Sequence, residues 1–380
     1  MAPQRPPGED AIALTGAPAR DAGPGSVAPI SPAPASAPLY AALDLGTNSC
    51  RMLIARPGGN HFEVVDSFSK SVQLGLGLET SGRLSRASMG RTVQALRVCQ
   101  RKLESHGVRR MRLVATAACR RAANARDFIR NVRRETGLML EIIAPQEEAR
   151  LAVISCAPLV MARTEQLLII DIGGGSTELV WIDLTDVAPA ERRAAVMRLP
   201  AGLPRSAKAG EARVVDWISV PIGVATLNEQ FRDVESDAAR FALMSCHFEE
   251  NLASFAPYAT GAPPGEFQVI GTSGTVTTVA ASYLGLRRYD RAKVDGIRMT
   301  SAQIDSVVRE YLALGPEGRR TDPRIGRERH TLIMSGAAIL QALMRVWPTE
   351  QLSVADRGLR EGLLYAQMAA DGLLGQGAGR

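Results

Sequence analysis

The sequence predicts an α/β chain of two related domains that face each other, and three observations lead there. Apolar runs of strand length alternate with segments of helical spacing. A strand–turn–strand unit, its first strand closing on an aspartate, occurs twice, as AALDLGTNSCRMLIA and LLIIDIGGGSTELVWI. The two aspartates, Asp44 and Asp171, stand 127 residues apart, which is one domain length.

Residues 1–38 hold nine prolines among Ala, Gly and Ser. Such a composition cannot bury enough apolar surface to offset the entropy of ordering it, so a disordered extension is expected there. Structure is expected from Tyr40. Strands are read at Tyr40–Leu45, Cys50–Ala55 and His61–Ser67. Met89, Val93, Leu96 and Leu103 share one face of a helix over Ala87–His106. A strand follows at Met111–Ala115, a helix at Asn124–Thr136, a strand at Leu140–Ile143 and a helix from Glu147. These elements form a first domain over residues 39–163. The pattern restarts with strands at Gln166–Asp171 and Glu178–Asp183. The stretch 185–213 is Ala/Arg-rich and poorly patterned. A loop and helix from Val220 to Phe231, a helix at Ala238–Phe255 and a strand at Phe267–Ile270 continue a second domain over 164–357. A glycine turn then opens a helix, another spans Leu332–Arg345, and the last, Gly358–Ala370, is expected to pack back on the first domain.

Composition narrows the class. No segment approaches the roughly 20 uninterrupted apolar residues of a membrane span. The start, MAPQRPPGEDAIALTG, lacks the apolar core of a signal peptide. Five unpaired-looking cysteines argue against a disulfide framework or zinc site. A cytoplasmic protein without a membrane partner is expected. Residues 83–134 carry 15 Lys/Arg against 2 Asp/Glu, a run that attracts polyanions. It fits a phosphate-rich substrate, nucleic acid, or a solvated surface.

Five short segments can carry chemistry. In Asp44, Gly46, Thr47, Asn48 and Ser49, a glycine and hydroxyl turn after a strand can aim N–H groups at phosphate, with Asp44 placed to bind Mg²⁺. In Asp171, Gly173, Gly174, Gly175, Ser176 and Glu178, three glycines bare the backbone between two acids, so a metal could bridge carboxylate and phosphate. Gly271, Thr272, Ser273, Gly274 and Thr275 form a phosphate turn at a helix start. Glu147 and Glu148 open a helix where one carboxylate can stand at the mouth of the interdomain cleft. Arg120 or Arg121 can grip phosphate oxygens. Each has a plain alternative: hairpin turn, flexible loop, helix cap, dipole-stabilising acids, exposed arginine.

In this order the segments resemble the exopolyphosphatase/guanosine pentaphosphate phosphohydrolase family of the actin–Hsp70–sugar kinase superfamily, from Tyr40 to about Met368. The resemblance rests on AALDLGTNS, ATAACRRAANARDF, EIIAPQEEARL, LLIIDIGGGSTELV, VIGTSGT and GLREGLLY. It implies two actin-like (ribonuclease H-like) domains with an interdomain cleft. It also implies a short form without the C-terminal HD-like domain of longer members. The implied activity removes terminal phosphates from polyphosphate or guanosine pentaphosphate with Mg²⁺. By the resemblance, Glu148 is the general base, and Asp171 and Glu178 lie near metal and attacking water. Asp44, Asp171 and Glu178 form the metal set, and Arg120 faces the substrate phosphates. No specific nucleic acid partner is expected, and a homodimer is compatible with the reading. A superfamily kinase or ATPase, and a silent sensor of guanosine tetraphosphate or pentaphosphate, are the alternatives.

Overall fold

The computed structural model describes residues 37–260, 265–326 and 329–374. The expected disordered extension therefore lies, apart from its last two residues, outside the described residues.

Two mixed sheets form the frame. The first contains β1 (Tyr40–Leu45), β2 (Ser49–Gly58), β3 (His61–Ser71), β4 (Arg110–Ala115) and β5 (Glu141–Ile142), in the order β3-β2-β1-β4-β5. The second contains β6 (Gln166–Ile172), β7 (Thr177–Asp183), β8 (Arg213–Val220), β9 (Phe267–Thr272), β10 (Arg298–Met299) and β11 (Leu352–Ala355), in the order β10-β11-β9-β6-β7-β8. Counted from its own first strand, the second sheet repeats the order of the first, with β10 added at its edge. In both, the first strand is antiparallel to the second and parallel to the fourth. Two matching hairpins in the sequence thus belong to two matching sheets.

β1 and β6 are central because they are apolar on both faces, as strands covered by helices on both sides must be. In chain order the helices are α1 (Leu78–Ser81), α2 (Arg86–Ser105), α3 (Ala117–Arg121), α4 (Ala125–Thr136), α5 (Pro145–Cys156), α6 (Arg192–Met197), α7 (Val224–Gln230), α8 (Asp237–Glu250), α9 (Ala256–Thr260), α10 (Gly274–Tyr283), α11 (Arg291–Val294), α12 (Ser301–Thr321), α13 (Ile333–Val346) and α14 (Leu359–Ala370). The α2 helix starts at Ser85, whose side chain accepts from the Ser88 N–H. Its stripe Thr92, Leu96, Cys99 and Leu103 is buried with Phe128 and Val132 of α4 against one face of the first sheet.

The other face of the first sheet is covered by α14, whose Leu359, Leu363, Leu364 and Met368 pack with Tyr40, Ala42 and Leu53. Helix α5 lies against both sheets. Its Leu151 joins that cluster, while Ala149 and Val153 pack with Leu167 and Ile169 of β6. The α5 and α14 backbones touch. A Cβ on Gly362 would sit 2.1 Å from the Leu151 carbonyl oxygen, so only glycine permits this approach.

The structure corrects the sequence reading in two places. The poorly patterned stretch ends in a full strand, β8, and a short one, β11, lies before the last helix. In β8, Asp216 is buried mid-strand. Its carboxylate accepts from the Trp217 and Ala256 N–H groups and pairs with Arg205. A charged residue at a core position hides the alternation that marks a strand.

Candidate active site

The cleft between the sheets encloses about 190 Å³. Three turns converge on it, each at the C-terminal end of a central strand. The turns after β1 and β6 are built alike. The Gly46 N–H donates to the Ser49 carbonyl at 2.9 Å, and the Gly173 N–H to the Ser176 carbonyl at 2.9 Å. The third turn follows β9 and opens α10. Ser273 sits there at φ 110°, and its side chain does not cap the helix. The first N–H groups of α10 are left for a ligand in the cleft.

The glycine triplet is required by protein contacts as well as by any ligand. A Cβ on Gly175 would lie 2.4 Å from Thr47 Oγ1 and 3.1 Å from the Ala117 Cβ. One on Gly174 would lie 3.2 Å from the Asn48 nitrogen. The phosphate-type loops of the two domains therefore touch. Helix α7 fixes this arrangement from below: Val224 N–H donates to Gly173 O at 3.0 Å, and Ala225 N–H to Gly174 O at 2.8 Å.

Asp44, Gly46–Ser49, Glu148, Asp171, Gly173–Ser176 and Thr272–Thr275 all line the cleft. Three of the expected residues do not. Gly271 lies inside β9, where a Cβ would press on Val276 at 3.1 Å, so it serves packing. Arg120 does not face the cleft: its guanidinium donates to Glu148 Oε2 at 2.6 Å and to the Ile143 carbonyl at 3.1 Å. It holds the Glu148 carboxylate. Glu178 lies beneath the floor, 2% exposed, and accepts from Ser219 Oγ at 2.8 Å. Of the expected metal set, Asp44 and Asp171 line the cleft, and Glu178 is the buried cross-strand partner of Asp171.

Acidic crowding sets the electrostatics. Asp171 and Glu178 are direct cross-strand partners on one face of the β6–β7 ladder, where like charges repel. Burial, then the charges of Glu148 and Asp44, push Asp171 up to about 7. Burial, then Glu148 and Asp171, push Glu178 well above the usual carboxylate range. Burial also raises Glu148, against the pull of Arg120.

The opposite charge was missed in the sequence. Arg51, Arg329, Arg357 and Arg360 line the cleft, together with Thr116 and Asp356. Arg51 pairs across from Asp44, as Glu178 does from Asp171. The same seven-residue offset in both repeats was the available signal. Burial, then the neighbouring Arg360 guanidinium, lowers Arg51 from the ordinary arginine value. An anion in the cleft would relieve that repulsion.

Two sheets of one strand order, meeting at a cleft with paired glycine turns, define an actin-like two-domain protein. Comparison with known proteins narrows the class. The model of the Ppx/GppA phosphatase family matches residues 53–370. A guanosine-5'-triphosphate,3'-diphosphate pyrophosphatase of Aeromonas salmonicida is 31% identical over 342 residues, covering 90% of this chain and 60% of the relative. The chain thus spans about 60% of the length of the curated relatives it matches. The crystal structure of the Aquifex aeolicus Ppx/GppA family member superposes with a TM-score of 0.68 at 27% identity, covering 88% of this chain and 98% of that one. An exopolyphosphatase structure from Cytophaga hutchinsonii, at 20% identity, shares the fold with a TM-score of 0.73 over 88% of this chain and 98% of its own. The chain belongs to the Ppx/GppA phosphatase family.

Proposed function

We propose that the chain hydrolyses the terminal phosphoanhydride bond of inorganic polyphosphate or guanosine pentaphosphate, releasing orthophosphate, in the cytoplasm and with Mg²⁺. The observation that carries this reading is Glu148. A carboxylate raised by burial and clamped by Arg120 stands in the wall of a cleft whose other surfaces are loop amides and arginines. A base with a raised pKa takes a proton from water more readily than an ordinary glutamate. Family membership and the names of the Aeromonas relatives agree with phosphoanhydride chemistry.

In this reading the three turns and Arg51 hold the phosphates and fix the terminal phosphorus in line with a water beside Glu148. Thr116 and Arg120 set the orientation of Glu148, which accepts the water proton as the new P–O bond forms. The phosphoanhydride oxygen leaves on the shortened chain. Asp44 and Asp171 suit Mg²⁺, which takes one or two carboxylates and fills its other positions with water and phosphate oxygens. The ion would supply charge neutralisation at the scissile bond. The raised Asp171 agrees with that fit, because a cation would relieve the crowding that now favours its proton.

The test is orthophosphate release from polyphosphate and from guanosine pentaphosphate, with Mg²⁺, by wild type and Glu148→Gln. Release that falls at least roughly 100-fold in the variant is expected. Equal release by both proteins would remove Glu148 from the mechanism. Binding without release by wild type would favour a sensor, and ATP-dependent transfer to another acceptor would favour a kinase.

A further inference from the structure

The arginine excess of residues 83–134 is not used by the cleft. Its one member near the reacting centre, Arg120, is committed to Glu148. The others lie on α2, α3 and α4, in the turn before α2, and at the start of β4, and the structure gathers a subset beside α3. Ala117, at the start of α3, lines the cleft. One helical turn on, about 6 Å away, Arg121 is exposed and paired with Glu79 at 2.6 Å.

The turn after α3 is stapled to the turn before α2. Ala123 N–H donates to the Gly82 carbonyl at 3.0 Å, Asn124 Nδ2 donates to the Leu84 carbonyl at 3.0 Å, and Leu84 N–H donates to Asn124 Oδ1 at 2.8 Å. These bonds hold Arg83 and Arg86, where α2 begins, beside Arg126, where α4 begins. All three are exposed. Among the described residues their side chains make no hydrogen bond or ion pair. Helices of 20 and 12 residues start here together, so their positive dipole ends add to the arginine charge. The first turn of α2 has no acid, and the one acid in that of α4, Asp127, is bonded to Arg130.

Unpaired cations one short helix, α3, away from the cleft wall suit a ligand that continues past the cleft as a repeating anion. We infer that Arg83, Arg86 and Arg126 form a landing strip for the trailing part of a long linear polyphosphate whose end is being cleaved. The inference rests on the phosphoanhydride reading above and deepens it. Guanosine pentaphosphate and tripolyphosphate are too short to gain from this strip. The attraction is electrostatic and weakens as salt rises.

The experiment compares KM and kcat for long-chain polyphosphate, tripolyphosphate and guanosine pentaphosphate at low salt. It uses wild type, the triple variant Arg83→Ala/Arg86→Ala/Arg126→Ala, and the triple lysine variant at the same positions. The alanine variant is expected to raise KM for long-chain polyphosphate roughly fivefold or more. Its kcat, and both parameters for short substrates, should stay unchanged. The lysine variant should recover most of the loss, which a purely structural role would not predict. A change of less than twofold, or an equal change for long and short substrates, overturns the strip. So does single-stranded RNA that competes with the long chain as well as unlabelled polyphosphate does, because the surface then reads anions without regard to the substrate. A wild type that releases phosphate from none of the substrates would instead defeat the underlying activity. Binding of long-chain polyphosphate to Glu148→Gln, with and without the alanine changes, then decides the strip by itself.

Discussion

Gly223→Ala is expected to disable the site without replacing any residue that lines it. The backbone of Gly223 is extended at φ −126°, a conformation open to alanine, so the effect is one of space. A Cβ there would lie 2.5 Å from the Gly174 carbonyl carbon, 2.5 Å from the Gly175 nitrogen and 2.6 Å from the Gly173 oxygen. All three are backbone atoms, so no side chain can turn aside. Either α7 or the glycine loop must retreat by about 1 Å, and the Val224–Gly173 and Ala225–Gly174 hydrogen bonds are lost or stretched. Two such bonds contribute about 1 kcal/mol each, and overpacking costs about 1–3 kcal/mol. A loss of about 3–5 kcal/mol is therefore expected in urea unfolding. Displacing the loop by that distance should lower kcat roughly 100-fold or more in phosphate release. Gly90→Ala is the control. It lies inside α2 with nothing within 4 Å of the added Cβ, so it should keep full activity and gain about 0.5–1 kcal/mol. A Gly223→Ala protein with wild-type kcat and wild-type unfolding would refute the idea that α7 sets the loop.

Two further outcomes follow from the charges. Arg120→Ala removes the cation that draws Glu148 down, so the acid limb of the kcat/KM profile should move to higher pH and kcat should fall roughly 10–100-fold; Arg120→Lys should restore part of both, and an unmoved limb would show that the pair does not tune the base. Asp171 is raised from 3.8 to about 7. Its contribution to stability without divalent cations is fully present below the unfolded value and is lost as pH rises through about 7, by at most about 4 kcal/mol. Melting temperatures in chelator should fall across that window and level out in Asp171→Asn; the same slope in the variant would exclude Asp171 as its source.

Much of this protein was legible before folding. The two Asp-ended hairpins, the helical stripe of α2 and the glycine turns are local patterns, set by residues close in sequence. Local patterns also placed Glu148 at a helix start and Thr272–Thr275 at another. What the sequence hid depends on partners far along the chain. β8 was obscured because Asp216 is satisfied by groups up to 40 residues away. The pairing of Arg120 with Glu148, 28 residues on, had no local signal. Nor did the bond that Ser219, 41 residues on, donates to Glu178. Arg329, Arg357 and Arg360 had no repeat partner like that of Arg51 to mark them; only the meeting of two domains brings all four into one cation-lined wall. The repeat, the turns and their chemistry could be read from the chain alone, since backbone geometry and side-chain type act over a few residues. Which carboxylates face the cleft, and which cations meet them, depends on the folded chain, since charge and burial act through space.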